Sequence, residues 1–543
     1  MADVIIRSNA VFTGLEKHPF CGSIALTGDR ITGVSEGDVP EEWITSETEI
    51  IDCGDGMIMP GFIDAHMHFY MGACAGSRFM NMEIEKSTSE EDCIRMMKEF
   101  EAKNPEYDRL LGWGWFPANW NDAPLPDKTL LDKEFPDKEV ILYCADGHTT
   151  WLNSKGLEAC GLNADTPLEF GQVQLDENGE PTGIVTEAAS IIAFEKMYDF
   201  PLEIMRDIYS DVVHDFTAKG ITMAGDMTML KLNEDYYKIM DKLTVLADEG
   251  ILNIKLNLYT ALHEADGFEA ELEMKERFSS GNIRYIGLKN LVDGVASTYT
   301  ALMLEPYSDN PDSVGDPPNF DKEYYLRNIP KANEKGLPVR LHCIGDRAIR
   351  WAFDGFEESN KYNDNPGNIK GIRNGIEHIE SIHPDDLPRF RELGVVASMQ
   401  PYHLTLDANE KISRVGPDRC RLEWPHRSIL DSGAVLCFGT DYPVVSFDPF
   451  ENIYAAITRK DDERKPTGTN PEQCITLAEA LKCYTWGSAY SYGMEHEVGT
   501  LEPDKKADVI ILDRNLFDIS AEEIPETKVQ RTYLNGELVY ISD

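Results

Sequence analysis

The chain has 543 residues, 42% hydrophobic and 27% charged, a balance that supplies a large buried core and argues against disorder. Its net charge of −45 argues against nucleic-acid and anionic-membrane partners, since both demand Lys and Arg. Eleven scattered Cys, with no Cys-x-x-Cys pair, read as reduced core residues rather than a disulfide framework.

The N-terminus shows no basic segment followed by an apolar stretch, and no run is long enough to span a bilayer. A soluble, cytoplasmic protein is the expectation. Short β-rich runs broken by Gly and Asp turns come first: VIIRSNAVFTG, GSIALTGDRITGVSEG and EIIDCGDGMIMPG. Eight apolar strands then alternate with helical stretches, near 57–69, 221–227, 252–261, 283–294, 338–346, 375–380, 395–403 and 435–444. Eight such units predict an α/β fold, a (β/α)8 TIM-type barrel. No G-x-G-x-x-G follows a strand and no phosphate-binding G-x-x-x-x-G-K-[ST] occurs, which sets aside the nucleotide-binding sheets.

Strands one and two lie too far apart for a simple connection, so an inserted subdomain is predicted at approximately 72–200, with strand-like pieces DRLLGWGWF and EVILYCADGH. The end of the chain returns to strands at 507–513 and 529–541, the second carrying an Asn535-Gly536 hairpin signal. The expected organisation is a composite β-sandwich domain formed from both termini, residues 1–62 and 495–543, with the barrel over 63–494.

The strongest local signal is GFIDAHMHF. His66 and His68 stand two apart, so on a strand both imidazoles face one way and can reach one metal ion. Two surface histidines on an edge strand are the plainer alternative. His342, His378 and Asp441 fall at the ends of other predicted strands, which converge on the active face of a barrel. Each alone could be a satisfied His or a helix-capping Asp; together, four His and a carboxylate suit zinc or a similar borderline cation. Lys289 lies inside an otherwise apolar strand, where an ammonium is costly. It either snorkels or pairs with Asp293, or it loses its proton and takes up CO2 as a carbamate able to bridge two ions. His148 and His403 could contact substrate or be structural. Trp113, Trp115 and Trp120 could wall an apolar substrate pocket or pack as core. The stretch Ala489–Gly493 approximates the G-x-S-x-G nucleophile elbow, but its first Gly is Ala and no strand precedes it.

These motifs resemble the amidohydrolase superfamily, and within it the YtcJ-like branch (amidohydrolase family 3) that includes N-substituted formamide deformylases. GFIDAHMH resembles the first-strand motif, LKNLVDG the fourth, and HCIGDRAI, EHIE and GTDYPV the fifth, sixth and eighth. GWGWFPANW and DGHTTWLNSKGL resemble the inserted region, and VGTLEPDKKADVIILD the return to the terminal domain, so nearly the whole chain is covered. The resemblance implies two divalent ions, zinc first and Mn, Fe or Co as alternatives; some members hold one. His66, His68 and Asp441 would hold one ion, His342 and His378 the other, with carboxylated Lys289 and a hydroxide bridging them. Asp441 would carry the proton from the attacking hydroxide to the leaving group, and a homodimer is implied. The expected function is hydrolysis of a C–N, amide-type bond in a small molecule. The same site could act on an ester, a lactone or a cyclic amide, or deaminate; a non-catalytic metal-binding or regulatory protein on this scaffold is the alternative from another class.

Overall fold

Eight short segments rich in Val, Ile, Leu, Met and Ala are buried along nearly their whole length, as strands covered on both faces must be. They are β1 (Phe62–Met67), β2 (Ile221–Asp226), β3 (Lys255–Ala261), β4 (Ile283–Leu291), β5 (Val339–Cys343), β6 (Gly375–His378), β7 (Val396–Met399) and β8 (Leu436–Phe438). Every ladder between neighbours is parallel, in chain order from β1 to β8. This is the computed structural model of the chain, and it describes residues 2–542 except 81, 121–124, 146–148, 169–170, 230–231, 233, 265–266, 317–319 and 469.

The barrel closes beyond the end of β8. Thr440 and Asp441 donate their backbone N–H groups to the His66 carbonyl at 3.1 and 2.7 Å, and His68 N–H donates to the Tyr442 carbonyl at 2.7 Å. Buried Asp64 staples the same seam: Oδ1 accepts from His66 N–H (3.0 Å) and Thr440 N–H (3.2 Å), and Oδ2 accepts from the Thr440 hydroxyl (2.7 Å). The approach is close enough that a Cβ on Gly439 would lie 2.4 Å from the His66 nitrogen. Closure therefore places Asp441 beside the first-strand histidines.

Both termini feed one eight-stranded sheet. Its order is Glu537–Ile541, Val529–Leu534, Val509–Leu512, Met57–Pro60, Val4–Val11, Phe20–Thr27 and Arg30–Glu36, with Glu49–Asp52 also paired to Val4–Val11. Met57–Pro60 runs parallel to Val4–Val11 and antiparallel to Val509–Leu512, so it joins the two ends of the chain. Ile6, Val11, Ile24, Ile58, Val509 and Ile511 pack in its core. The expected Asn535-Gly536 hairpin is present, with φ of 50° and 80°, the pair of positive values a type I′ turn requires.

The chain divides into two compact units, Met1–Phe69 with Val213–Asp543, and Tyr70–Val212. The second holds its own five-stranded sheet, in which the expected strands appear as Arg109–Trp115 and Glu139–Cys144. Trp115, Trp120 and Trp151 cluster in its core with ring centroids 5.6 to 6.3 Å apart. No helix among the described residues is long and apolar enough to cross a membrane.

Candidate metal centre

β1 delivers His66 and His68 to one face, and the seam brings Asp441 between them. Asp441 Oδ1 lies 3.2 Å from His66 Nε2 and 3.1 Å from His68 Nε2. The other oxygen, Oδ2, lies 3.9 Å from His378 Nδ1 and 3.7 Å from His403 Nε2. Among the described residues, two groups of ligand atoms thus stand within 4.8 Å of one another: His66, His68 and Asp441, and His378, His403 and Asp441. Both share the one carboxylate, as a site for two neighbouring ions would.

Backbone strain marks this rim. His378 (φ 74°), Ile379 (φ 52°) and Asp441 (φ 62°) all adopt the left-handed region that non-glycine residues avoid. At β6 this departs from the strand alternation that would turn Glu377 and His378 to opposite faces, and both reach His66. Glu377 Oε2 is 2.6 Å from His66 Nδ1, and the His378 ring centroid is 5.0 Å from that of His66.

His342 sits 4.4 Å from His378, ring to ring. Its Nε2 faces the Gly294 carbonyl at 3.3 Å and Asp293 Oδ1 at 3.8 Å, so His403 rather than His342 completes the second group of ligand atoms. Burial, helped by nearby Lys289, pushes the His342 imidazole down to about 3; burial and His342 hold His378 well below the usual range. Both rings are therefore neutral near pH 7, with a lone pair to offer a cation.

Lys289 is 2% exposed on β4, and burial lowers its ammonium to about 8 against the opposing pull of Glu377 and Asp441. The alternative in which Asp293 pairs with it fails on geometry. The Asp293 carboxylate instead accepts the backbone N–H groups of Leu302, Ile344 and Gly345 at 2.8 to 2.9 Å, tying the β4 loop to the β5 loop.

The donor set fits divalent cations. Three imidazole nitrogens stand within 3.7 Å of the Asp441 oxygens, and buried His378 Nδ1 finds no hydrogen-bond partner among the described residues. Nitrogen and carboxylate donors together suit zinc and its neighbours.

The remaining expectations fare differently. His148 lies outside the described residues. Trp115 does not wall a substrate pocket: it is fully buried in the core of the Tyr70–Val212 unit, where its indole N–H donates to the Leu142 carbonyl. Trp120, 4% exposed, is core as well, while Trp113 is 37% exposed and stacks on Tyr143. Ser491 is buried in the helix Ser488–Ser491, which removes the nucleophile-elbow alternative. Two residues at the centre escaped the sequence reading, Glu377 and Arg340. The signal was available: each is a charged residue inside an apolar strand, the argument that singled out Lys289.

The sequence of YtcJ from Bacillus subtilis (strain 168) is 27% identical over 98% of this chain and 98% of its own length. The N-substituted formamide deformylase of Arthrobacter pascens is 24% identical over 99% of this chain and 98% of its own. An uncharacterized metal-dependent hydrolase from Pyrococcus horikoshii OT3 superposes with a TM-score of 0.76 at 25% identity, covering 95% of this chain and 99% of that one. A profile of the amidohydrolase family matches residues 49–540. With that match, and a barrel that gathers histidines around one aspartate, the chain belongs to the amidohydrolase family and is a metal-dependent hydrolase.

Proposed function

We propose that this hydrolase cleaves a C–N bond of the amide type in a small molecule, with His66, His68, His342, His378, Lys289 and Asp441 holding two divalent ions, zinc first among them. The observation that carries the reading is one carboxylate, Asp441, with His66 and His68 on one oxygen and His378 facing the other, His342 packed against His378, and a buried lysine nearby. The similarity to a deformylase over 99% of the chain supports the bond class. When bound, the ions would act as Lewis acids and lower the pKa of a water molecule.

The chain's own groups do the rest. Asp441 accepts the proton of the attacking water and returns it to the departing nitrogen, so that the amine leaves neutral. His403, 3.7 Å from Asp441, is placed to donate a hydrogen bond to the oxygen of the tetrahedral intermediate. Neutral Lys289 attacks CO2: the N–C bond forms, one C=O π bond breaks with its pair going to oxygen, the nitrogen gives one proton to water, and the product is a carboxylate on a long arm.

The test is elemental analysis of protein grown with bicarbonate and without chelator, followed by assay of N-formyl and N-acyl amines. About two equivalents of metal and release of free amine are expected. Asp441→Asn should lower kcat by roughly 100- to 10,000-fold. Absence of metal after reconstitution, or full activity in Asp441→Asn, overturns the reading; bound metal without turnover leaves a binding or regulatory protein.

A further inference from the structure

We propose that Glu377 and Arg340 are positioning residues that fix the ring of His66 so that its Nε2 is presented to a metal ion. This rests on the metal-dependent reading above and says how the chain builds one of its ligands.

Glu377 Oε2 lies 2.6 Å from His66 Nδ1, and neither side chain is more than 1% exposed. A carboxylate only accepts, so Nδ1 carries the hydrogen, and in the neutral ring that a metal ion requires the lone pair is left on Nε2. That nitrogen faces Asp441 Oδ1 at 3.2 Å, where two acceptors with nothing between them repel and a cation between them is bound. Glu377 is itself held from behind. Arg340 Nε donates to its other oxygen, and both residues are completely buried. The cradle for this contact is built into the neighbouring strand: Arg340 pairs in register with Gly375, where a Cβ would lie 2.6 Å from Nε.

The pair is expensive. Among the described residues neither Nη of Arg340 has a hydrogen-bond partner, and an apolar pair of similar volume commonly serves stability as well or better. Nor is Glu377 placed to ligate, since both its oxygens are occupied and it belongs to neither group of ligand atoms. What the pair supplies is a fixed acceptor for one imidazole N–H. Outer partners of this kind are typically worth about 10- to 100-fold in metal affinity.

Two variants without buried charge isolate that function: Arg340→Met/Glu377→Gln and Arg340→Met/Glu377→Leu. They are close in size and differ chiefly in whether residue 377 can accept the His66 hydrogen. Zinc affinity is read by competition with a chromogenic chelator, with apo-protein melting as the control for folding. The Leu variant should bind its weaker ion at least about tenfold less tightly than the Gln variant, with the apo proteins melting alike. Equal affinities overturn the proposal, because a purely structural pair would not distinguish the two. Should both double variants fail to fold, Gly375→Ala decides. It keeps every polar group and displaces Arg340, and unchanged zinc affinity there overturns the proposal just as well. Wild-type protein that binds no zinc in the same assay would instead sink the metal-dependent reading.

Discussion

Lys289 shows how one side chain narrows the chemistry. An ammonium inside a barrel strand needs a counter-charge, and the carboxylate closest in sequence, Asp293, is engaged with three backbone N–H groups. Burial outweighs the pull of Glu377 and Asp441 and brings the amine to about 8, so a useful fraction is neutral near pH 8 and open to CO2. Lys289→Met should retain the fold, since it removes a buried cation rather than a packing group. It should also lower bound metal from about two equivalents to about one. Elemental analysis checks this directly, and two retained equivalents would show that no carbamate bridges the ions. At this scale much of the site was legible. Of the residues expected as ligands, His66, His68, His378 and Asp441 come together, and they stand in short motifs at strand ends, where local spacing carries the information. Glu377 and Arg340 carry the same local signal, a charge inside an apolar strand, but their link to His66 depends on how β1, β5 and β6 are juxtaposed, which no local pattern encodes.

The same limit appears in the elements. All eight barrel strands were legible as apolar runs, because strands buried on both faces cannot hide their composition. Their closure was not. β8 has three residues where the sequence predicts a strand over 435–444, and the β1 seam is made by Gly439, Thr440, Asp441 and Tyr442, which lie beyond the observed strand. The staple at that seam serves the site as well as the fold, because Thr440 immediately precedes Asp441. Thr440→Val keeps the shape and deletes the hydroxyl that donates to Asp64, leaving one oxygen of a fully buried carboxylate short of its partner. The expected cost is about 1–3 kcal/mol, read from chemical denaturation of the apo protein. Zinc affinity should fall with it if the seam sets the position of Asp441; a stability loss with unchanged affinity would confine the staple to folding.

At the scale of the whole molecule, the barrel has two ends with different duties. The candidate ligands His66, His68, His378 and Asp441 gather at the C-terminal ends of the strands, while the opposite end meets the sheet made from the chain termini. Lys255, the first residue of β3, forms a buried ion pair with Asp508, just before the sheet strand Val509–Leu512, and Asp508 also accepts the Asn535 N–H. Nearby, the Thr532 hydroxyl donates to the Thr217 carbonyl at 2.7 Å. Lys255 is 7% exposed and burial lowers its pKa, so its ammonium depends on Asp508 for its charge to be tolerated. Asp508→Asn should therefore cost about 3–5 kcal/mol, because it strands a buried cation. Lys255→Met/Asp508→Asn, which removes both charges and keeps a side-chain carbonyl for the Asn535 N–H, should recover most of that loss. Thermal unfolding of the three proteins gives the order wild type, double variant, single variant, and a double variant no better than the single would deny the pair its part in joining sheet to barrel. Zinc affinity at 25 °C should be the same in all three, since the change lies at the far end of β3 from the ligands. A loss of affinity in the folded double variant would mean that the two ends of the barrel are coupled, and that the terminal sheet helps shape the metal centre it does not touch.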